Sequence, residues 1–437
     1  MSAGTSVLAR VARQAGWLLG ANVVVFALAF GQNLMLARRL GPAGFGALAL
    51  IFAVTDVIQQ LLSSRVWETA TTFVPAFRAK SDHAGAAAAV KLCLLVDATA
   101  ALVATGSLFV LADPLARLFV DDAGAADAIR LYSILPVILI PVATGRALLR
   151  VADLYRWLSG ALVIESAVRF VAVWTAVLIA GVTLERVVVA YLIAALIGTM
   201  LVSALVAVTW RGLGFPPLAE VRLSDLPEPR QLVRFLLYSN VSGSFRLLSG
   251  KADVLLLGVF TDASAVGVYR LARTVADPLV ALTDPVYQAT YPEMARLVHA
   301  GDDVSVRQLA RGIRRGAWQF VVPVCLMVTL TAGWVIPMVF GAAYDDAVPL
   351  ARILVWQLVW VPYLWVPGLL LASGRADVVT ALTAADAVVY VASLALLVPL
   401  FGAAGAAVAT VARFATWGVA AAALGRRTER DLQAMPS

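Results

Sequence analysis

The sequence predicts an all-α integral membrane protein of about twelve transmembrane helices, arranged as two six-helix lobes about a central cavity. The lobes are expected to be related by a pseudo-two-fold axis along the membrane normal. Three observations carry this expectation. The 437 residues are 61% hydrophobic and 14% charged, against roughly 25% charge in a soluble domain. Apolar stretches of about 20 residues recur from end to end, each long enough to cross a hydrocarbon core about 30 Å thick as a helix. Finally, one half of the chain reproduces the punctuation of the other at an offset of 221 residues.

The first six spans lie near 15–37, 43–64, 86–111, 129–150, 158–180 and 187–209. Six more lie near 232–259, 264–290, 316–341, 347–372, 377–399 and 404–424. No gap could house a soluble domain. The long polar connection of the middle, RGLGFPPLAEVRLSDLPEPR, carries Pro216, Pro217, Pro227 and Pro229 among alternating charges. Proline removes a backbone donor, so a continuous helix is disfavoured there. The expected organisation is an N-terminal lobe over 1–210, a linker over 211–230 and a C-terminal lobe over 231–437.

At the N-terminus, Arg10 and Arg13 precede an apolar run containing Ala27-Leu28-Ala29, which has the form of a signal cleavage site. The run continues to Leu36 and is read as a first span. Cys93 and Cys325 fall inside separate apolar stretches and read as packed thiols, while His83 and His299 sit in polar loops. No metal-ligand spacing is present, and neither a metal, a cofactor nor a catalytic residue is expected.

Lys and Arg collect in cytoplasmic loops, which orients the chain. With the N-terminus inside, the inner loops hold Arg78, Lys80, Arg150, Arg156, the linker arginines, Arg307, Arg311, Arg314, Arg315, Arg375 and the tail. The outer loops hold Arg38, Arg39, Arg117 and Arg186, with the acids Asp121, Asp122, Asp345 and Asp346. Both termini are therefore expected in the cytoplasm, the protein in the inner cell membrane, and the net charge of +7 against anionic lipid. No nucleic-acid partner is expected.

The repeat rests on rare letters. Gly46 falls on Gly267, Pro141 on Pro362, Gly181 on Gly402, and the membrane carboxylate Glu165 on Asp386. Six spans return the chain to its starting side, so the two halves should share one orientation.

Ionisable residues inside spans are costly and face a bundle interior or a cavity. At about 100° per residue, Ser239, Ser242, Arg246, Ser249 and Asp253 form one stripe of the seventh span. Arg270, Arg273, Asp277 and Asp284 share an arc of the eighth. The turn near 260–263 puts Arg246 level with Asp277, and Asp253 level with Arg270 or Arg273. These residues are either ion pairs holding the hairpin or the polar wall of a cavity. Glu165 and Arg169, one turn apart, read as a local pair. Arg146, Arg150 and Lys91 read as snorkelling anchors.

The turn ARRLGPAGFGALAL, residues 37–50, resembles the R-x-L-G-P-x-x-[FY]-G signature of Wzx-type polysaccharide-biosynthesis flippases, of the multidrug/oligosaccharidyl-lipid/polysaccharide exporter superfamily. ADVLLLGVFTDASAVGVYRLA, residues 252–272, is similar to that family's pattern after the seventh span, with Asp253, Gly258, Gly267 and Tyr269 at matching positions. TYPEMARL, residues 290–297, resembles the segment that closes the eighth.

The resemblance implies a transporter, without chemistry on its substrate, that moves a polyprenyl-pyrophosphate-linked oligosaccharide from the inner to the outer leaflet by alternating access. Its partners would be that lipid-linked glycan, membrane lipid and other polysaccharide-assembly proteins. It makes Arg246, Arg270 and Arg273 the candidates for the pyrophosphate, since a guanidinium fork suits phosphate. Asp253, Asp277, Asp284, Glu165 and Asp386 are candidates for ion coupling or structural pairing. The stripes hold nearly as many acids as bases, so the cavity is not plainly cationic. Two other functions are weighed: a cation-coupled multidrug or metabolite antiporter of the related branch, and a membrane glycan polymerase or ligase, against which the short outer loops argue.

Overall fold

A computed structural model describes the backbone of residues 2–62, 66–120, 123–180, 183–227, 229–281, 283, 294, 296–298, 300–363 and 365–434. Side chains are described at the same positions except 2–15, 123, 179–180, 237–249, 303, 376 and 425–434. Every element within this set is helical.

The first helical run, α1 (Ser2–Leu62), is 61 residues long, about three times what a bilayer crossing needs. It breaks at Gly41, whose φ of 67° is open to glycine without strain, and Pro42 follows without an N–H. The predicted turn between the first two spans is thus a kink within one run. Next come α2 (Val66–Ala79), α3 (His83–Val110) and the short α4 (Ala112–Phe119). The fourth predicted span is broken into α5 (Ala123–Tyr132), α6 (Leu135–Ile138) and α7 (Ile140–Val151), interrupted by Pro136 and Pro141. Then α8 (Tyr155–Ala180) and α9 (Leu184–Gly212) lead into the linker.

Beyond the linker are α10 (Pro229–Phe260), α11 (Ala263–Ala281) and α12 (Asp303–Phe340). The tenth predicted span is broken like the fourth, into α13 (Ala347–Leu354), a 3₁₀ stretch Val355–Tyr363 containing Pro362, and α14 (Trp365–Ala372). The last run, α15 (Ala376–Ala434), is 59 residues long and kinks at Gly402, φ 55°.

Among the described residues, eight helices are long and apolar enough to cross a bilayer. Two of them, Gly16–Leu62 and Asp377–Leu424, contain the glycine kinks and have length for two crossings each. Neither α10 nor α11 is among the eight; these are the helices on which the charged stripes fall. Large apolar side chains point outward, with Val110, Val208 and Leu330 about three-quarters exposed. That is the reverse of a water-soluble surface and suits hydrocarbon.

Two compact units divide the chain. The first comprises Met1–Leu40 and Leu50–Leu247. Its core joins α2, α3, α7 and the linker: the small buried row Ala86, Ala87, Ala88 and Ala89 lies with Val66, Val74, Leu148, Phe215 and Leu226 in one cluster. Asp82 caps α3 by accepting from the Gly85 amide at 2.8 Å.

The second unit comprises Gly41–Ala49 and Leu248–Ser437. The nine-residue piece after the α1 kink belongs here because Gly46 and Gly267 cross without side chains. A Cβ on Gly46 would lie 1.7 Å from the Ala263 carbonyl oxygen, and one on Gly267 would lie 1.9 Å from that of Pro42. Pro42 and Ala263 stand at matching repeat positions, as do the two glycines, so the contact is reciprocal. Cys93 and Cys325 are free, buried thiols facing the carbonyls of Val66 and Val355.

Candidate functional site

Helix α10 delivers Asp253 to the interior of the second unit, where its side chain is fully buried. Three donors surround the carboxylate: its neighbour's amide at Val254, 2.9 Å away, the Tyr269 hydroxyl at 2.7 Å, and the Arg273 guanidinium. Asp253 lies level with Arg273 as the hairpin geometry predicts, while Arg270 makes no contact with it. Nε of Arg273 also bonds Asp277, one turn further along α11, at 3.0 Å. The network continues into α15. The Thr410 hydroxyl lies 3.2 Å from Tyr269 Oη and 3.1 Å from Tyr390 Oη. Asp386 takes two bonds from Arg413, at 2.8 Å from Nε and 2.7 Å from an Nη. That guanidinium lies 4.6 Å from the centre of the Tyr390 ring.

Burying a carboxylate is costly unless it is paired and hydrogen-bonded. Asp253 meets both conditions, so it reads as a fixed anion that orients Arg273 and Tyr269. Arg270 is different. It is half-buried in α11 and no carboxylate pairs with it among the described residues. The Arg246 side chain and Asp284 lie outside the described residues, and so does the expected Arg246–Asp277 level. No group of three or more His, Cys, Asp or Glu able to hold a metal occurs among the described residues.

In the first unit, the expected local pair of Glu165 and Arg169 does not form. Glu165 on α8 bonds Arg146 on α7 at 2.9 Å, where Gly198 of α9 leaves it room: a Cβ there would stand 2.7 Å from the carboxyl group. Arg146 is thus an interhelical partner and not a snorkelling anchor. Lys91, also read as an anchor, bonds the linker carbonyls of Leu218 and Val221 at 3.3 and 2.7 Å. Arg169 turns to the Ser166 hydroxyl at 3.4 Å and lies over the Tyr191 ring at 5.7 Å. Phe52 stands between Tyr191 and Tyr132, with centroids 4.5 and 4.8 Å apart, and Gln32 donates to the Tyr191 hydroxyl.

A sequence model described as polysaccharide biosynthesis protein matches residues 11–298, well over half of the chain. The chain belongs to that family. In fold, this polysaccharide biosynthesis family member is similar to the inward-facing conformation of a multidrug resistance MATE family transporter of the MOP superfamily. The TM-score is 0.79 at 16% identity, over 94% of this chain and 96% of that one. The outward-facing conformation of such a transporter gives 0.67 at 16% identity, over 97% and 96%. A MOP superfamily transporter from Pyrococcus furiosus, described as having a binding pocket of reverse polarity, gives 0.66 at 16% identity over 96% of each chain. No curated protein matches the chain by sequence. Likeness at this identity fixes the fold, the family adds the polysaccharide context, and the long apolar helices make the chain a multi-pass membrane protein.

Sequence reasoning missed Arg413, Tyr390 and Thr410 as site residues of this family member. A signal for Arg413 was present, since an arginine inside the final apolar stretch VATVARFATW has no tolerable place against lipid.

Proposed function

We propose that this transporter flips a polyprenyl-pyrophosphate-linked oligosaccharide from the cytoplasmic to the outer leaflet, through a central cavity exposed alternately to each side. In this reading the chain makes about twelve crossings, as lobes 1–210 and 231–437 around a cytoplasmic linker, with both termini inside.

The observation that carries the reading is two membrane guanidiniums that form no ion pair with a carboxylate among the described residues, Arg169 in the first unit and Arg270 in the second. Arg169 lies 14 residues from the start of α8 and 11 from its end, about 21 and 16 Å at 1.5 Å per residue. Neither headgroup layer is within the reach of its side chain, and a hydrated cavity or an anionic ligand would add to what the Tyr191 ring and Ser166 hydroxyl supply. A guanidinium fork matches a phosphate or an acidic sugar, and the Tyr191 and Phe52 rings beside Arg169 suit a sugar face. Arg273, held between Asp253 and Asp277, is less available to substrate than Arg270 and positions the α10–α11 hairpin.

A second reading, a cation-coupled antiporter of the related branch, is favoured by the buried Asp253–Tyr269–Thr410–Tyr390 chain and the MATE-like fold. Proteoliposomes loaded with a fluorescent polyprenyl-pyrophosphate oligosaccharide separate the two. Flipping reduced at least about tenfold by Arg169→Gln or Arg270→Gln, the scale of one lost charged contact, with normal protein abundance, supports the proposal. Cation-driven drug efflux that survives both substitutions, with no flipping by the unaltered protein, overturns it.

A further inference from the structure

We infer that a cavity beneath the linker binds an acyl chain of an anionic phospholipid, with the lipid phosphate at Arg211. The inference rests on the bilayer setting of the protein and not on which substrate it carries.

The cavity lies wholly within the first unit and measures about 510 Å³. Its walls are Val90 and Leu94 of α3, Pro141 and Leu148 of α7, and Val206 and Trp210 of α9. The linker forms its roof through Phe215, Pro217 and Leu218. That roof is fastened: Lys91 of α3 holds the Leu218 and Val221 carbonyls, and the Trp210 indole N–H bonds the Pro216 carbonyl at 2.7 Å. Phe215 packs edge-on against Trp210, centroids 5.0 Å apart. Three linker carbonyls, those of Pro216, Leu218 and Val221, are thereby satisfied, and the linker's apolar side chains line a hollow.

The cavity is open on one side, so it is filled by whatever surrounds that face, and its lining decides between water and hydrocarbon. Water needs two to four polar partners per molecule. The lining offers only Thr144, Ser203 and Arg211 as polar side chains, and Thr144 already donates to the buried Asp97 at 3.4 Å. Hydrocarbon is the occupant the walls suit, and the solvent around α3, α7 and α9 supplies it. Arg211 ends α9 at the rim, exposed and with no ion-pair partner among the described residues. Arginine in that place attracts a phosphate and favours an anionic headgroup.

Trp210 is a native reporter of this site. In nanodiscs of phosphatidylcholine containing acyl-brominated phosphatidylglycerol, a component of tryptophan emission should be quenched that is missing from Trp210→Phe. Brominated phosphatidylglycerol should outcompete brominated phosphatidylcholine about fivefold, the advantage expected from one basic residue at an anionic surface. Arg211→Gln should abolish that preference and retain the quenching. Ala207→Phe and, separately, Ser203→Leu should fill the cavity and relieve the Trp210 quenching with the fold intact by circular dichroism. Quenching independent of Trp210, or unchanged in both filled variants that fold, would overturn the site. Equal quenching by the two headgroups in the unaltered protein would overturn the role of Arg211. Relief by unlabelled polyprenyl phosphate at far lower mole fraction than by unlabelled phosphatidylglycerol would overturn the phospholipid as occupant, in favour of a carrier lipid.

Discussion

In the first unit the acid on α8, Glu165, takes its cation from the preceding helix, at Arg146. In the second unit the acid at the matching repeat position, Asp386, takes its cation from the far arm of α15, at Arg413. A ring accompanies the arginine in both places, with the two residues exchanged. Arg169 lies over Tyr191 in the first unit. The second has Tyr390 at the position matching Arg169, and Arg413 one residue beyond that matching Tyr191. The exchange changes the electrostatics. Arg413 has both a ring and a carboxylate, whereas among the described residues Arg169 has a ring and a hydroxyl, and Glu165 is committed to Arg146. Corresponding stretches of the sequence repeat therefore carry one neutralised guanidinium and one with no carboxylate partner among the described residues.

The glycine crossing joins matching positions of the sequence repeat, and it should tolerate little. Both hypothetical Cβ atoms meet backbone carbonyls at under 2 Å, so no rotamer change can relieve them. Gly46→Val and Gly267→Val are each expected to cost about 3 kcal/mol or more, read as lost abundance and a lowered unfolding temperature of the purified protein. Gly106→Ala and Gly160→Ala, where nothing lies within 4 Å, are the controls. Loss confined to only one of Gly46 and Gly267 would break the reciprocity.

These two glycines were legible in the sequence because turn glycines and rare acids stand out at a 221-residue offset. Helical phase likewise put Asp253 level with an arginine of α11, and Arg273 fills that place. Phase fixes the face of a helix, however, and not which neighbour that face meets. Phase therefore pairs Glu165 with Arg169 on its own helix and passes over Arg146, since that choice depends on how α7, α8 and α9 pack. Arg413 escaped for a related reason: its partner lies 27 residues away, across the Gly402 kink. The matching glycine, Gly181, lies outside the described residues. The paired prolines were clearer, since Pro141 and Pro362 both fall where the fourth span of their half is interrupted.

The two ion pairs should differ in cost when one partner is removed. Asp386 is 9% exposed in its pair and Glu165 is 20%, so a stranded carboxylate is worse in the second unit. Arg413→Leu should destabilise by about 3 kcal/mol or more, near the range for breaking a buried pair, and Arg146→Leu by about half as much. Adding Asp386→Leu to Arg413→Leu should restore much of the loss, because removing both charges leaves none unpaired. Thermal unfolding in detergent reads all three. A greater loss for Arg146→Leu would reverse the ranking of the two sites.

The smallest effects belong to the helix caps, which sharpen the comparison because both units use an aspartate for one role. Asp82 caps α3 through the Gly85 amide, and Asp302 caps α12 through that of Ser305 at 3.0 Å. A Cβ on Gly85 would lie 2.2 Å from the Asp82 carboxylate, so Gly85→Ala displaces the cap, a loss of about 1 kcal/mol. Alanine also raises helix propensity by about 1 kcal/mol, and the single substitution should come out near neutral. In an Asp82→Ala background no cap remains to displace, so Gly85→Ala should then stabilise by about 1 kcal/mol. Serine in the second unit raises no such conflict. Hydrogen bonds from Ser305, its hydroxyl before its amide, hold the Asp302 carboxyl below the usual range. Its contribution to stability is therefore present above the unfolded carboxyl pKa of about 3.9 and fades as pH falls through the lower folded value. Asp302→Asn keeps a capping oxygen without a charge. It should flatten that acid limb slightly in unfolding curves taken between about pH 2 and 5, and an unchanged limb would show that Asp302 titrates alike in both states.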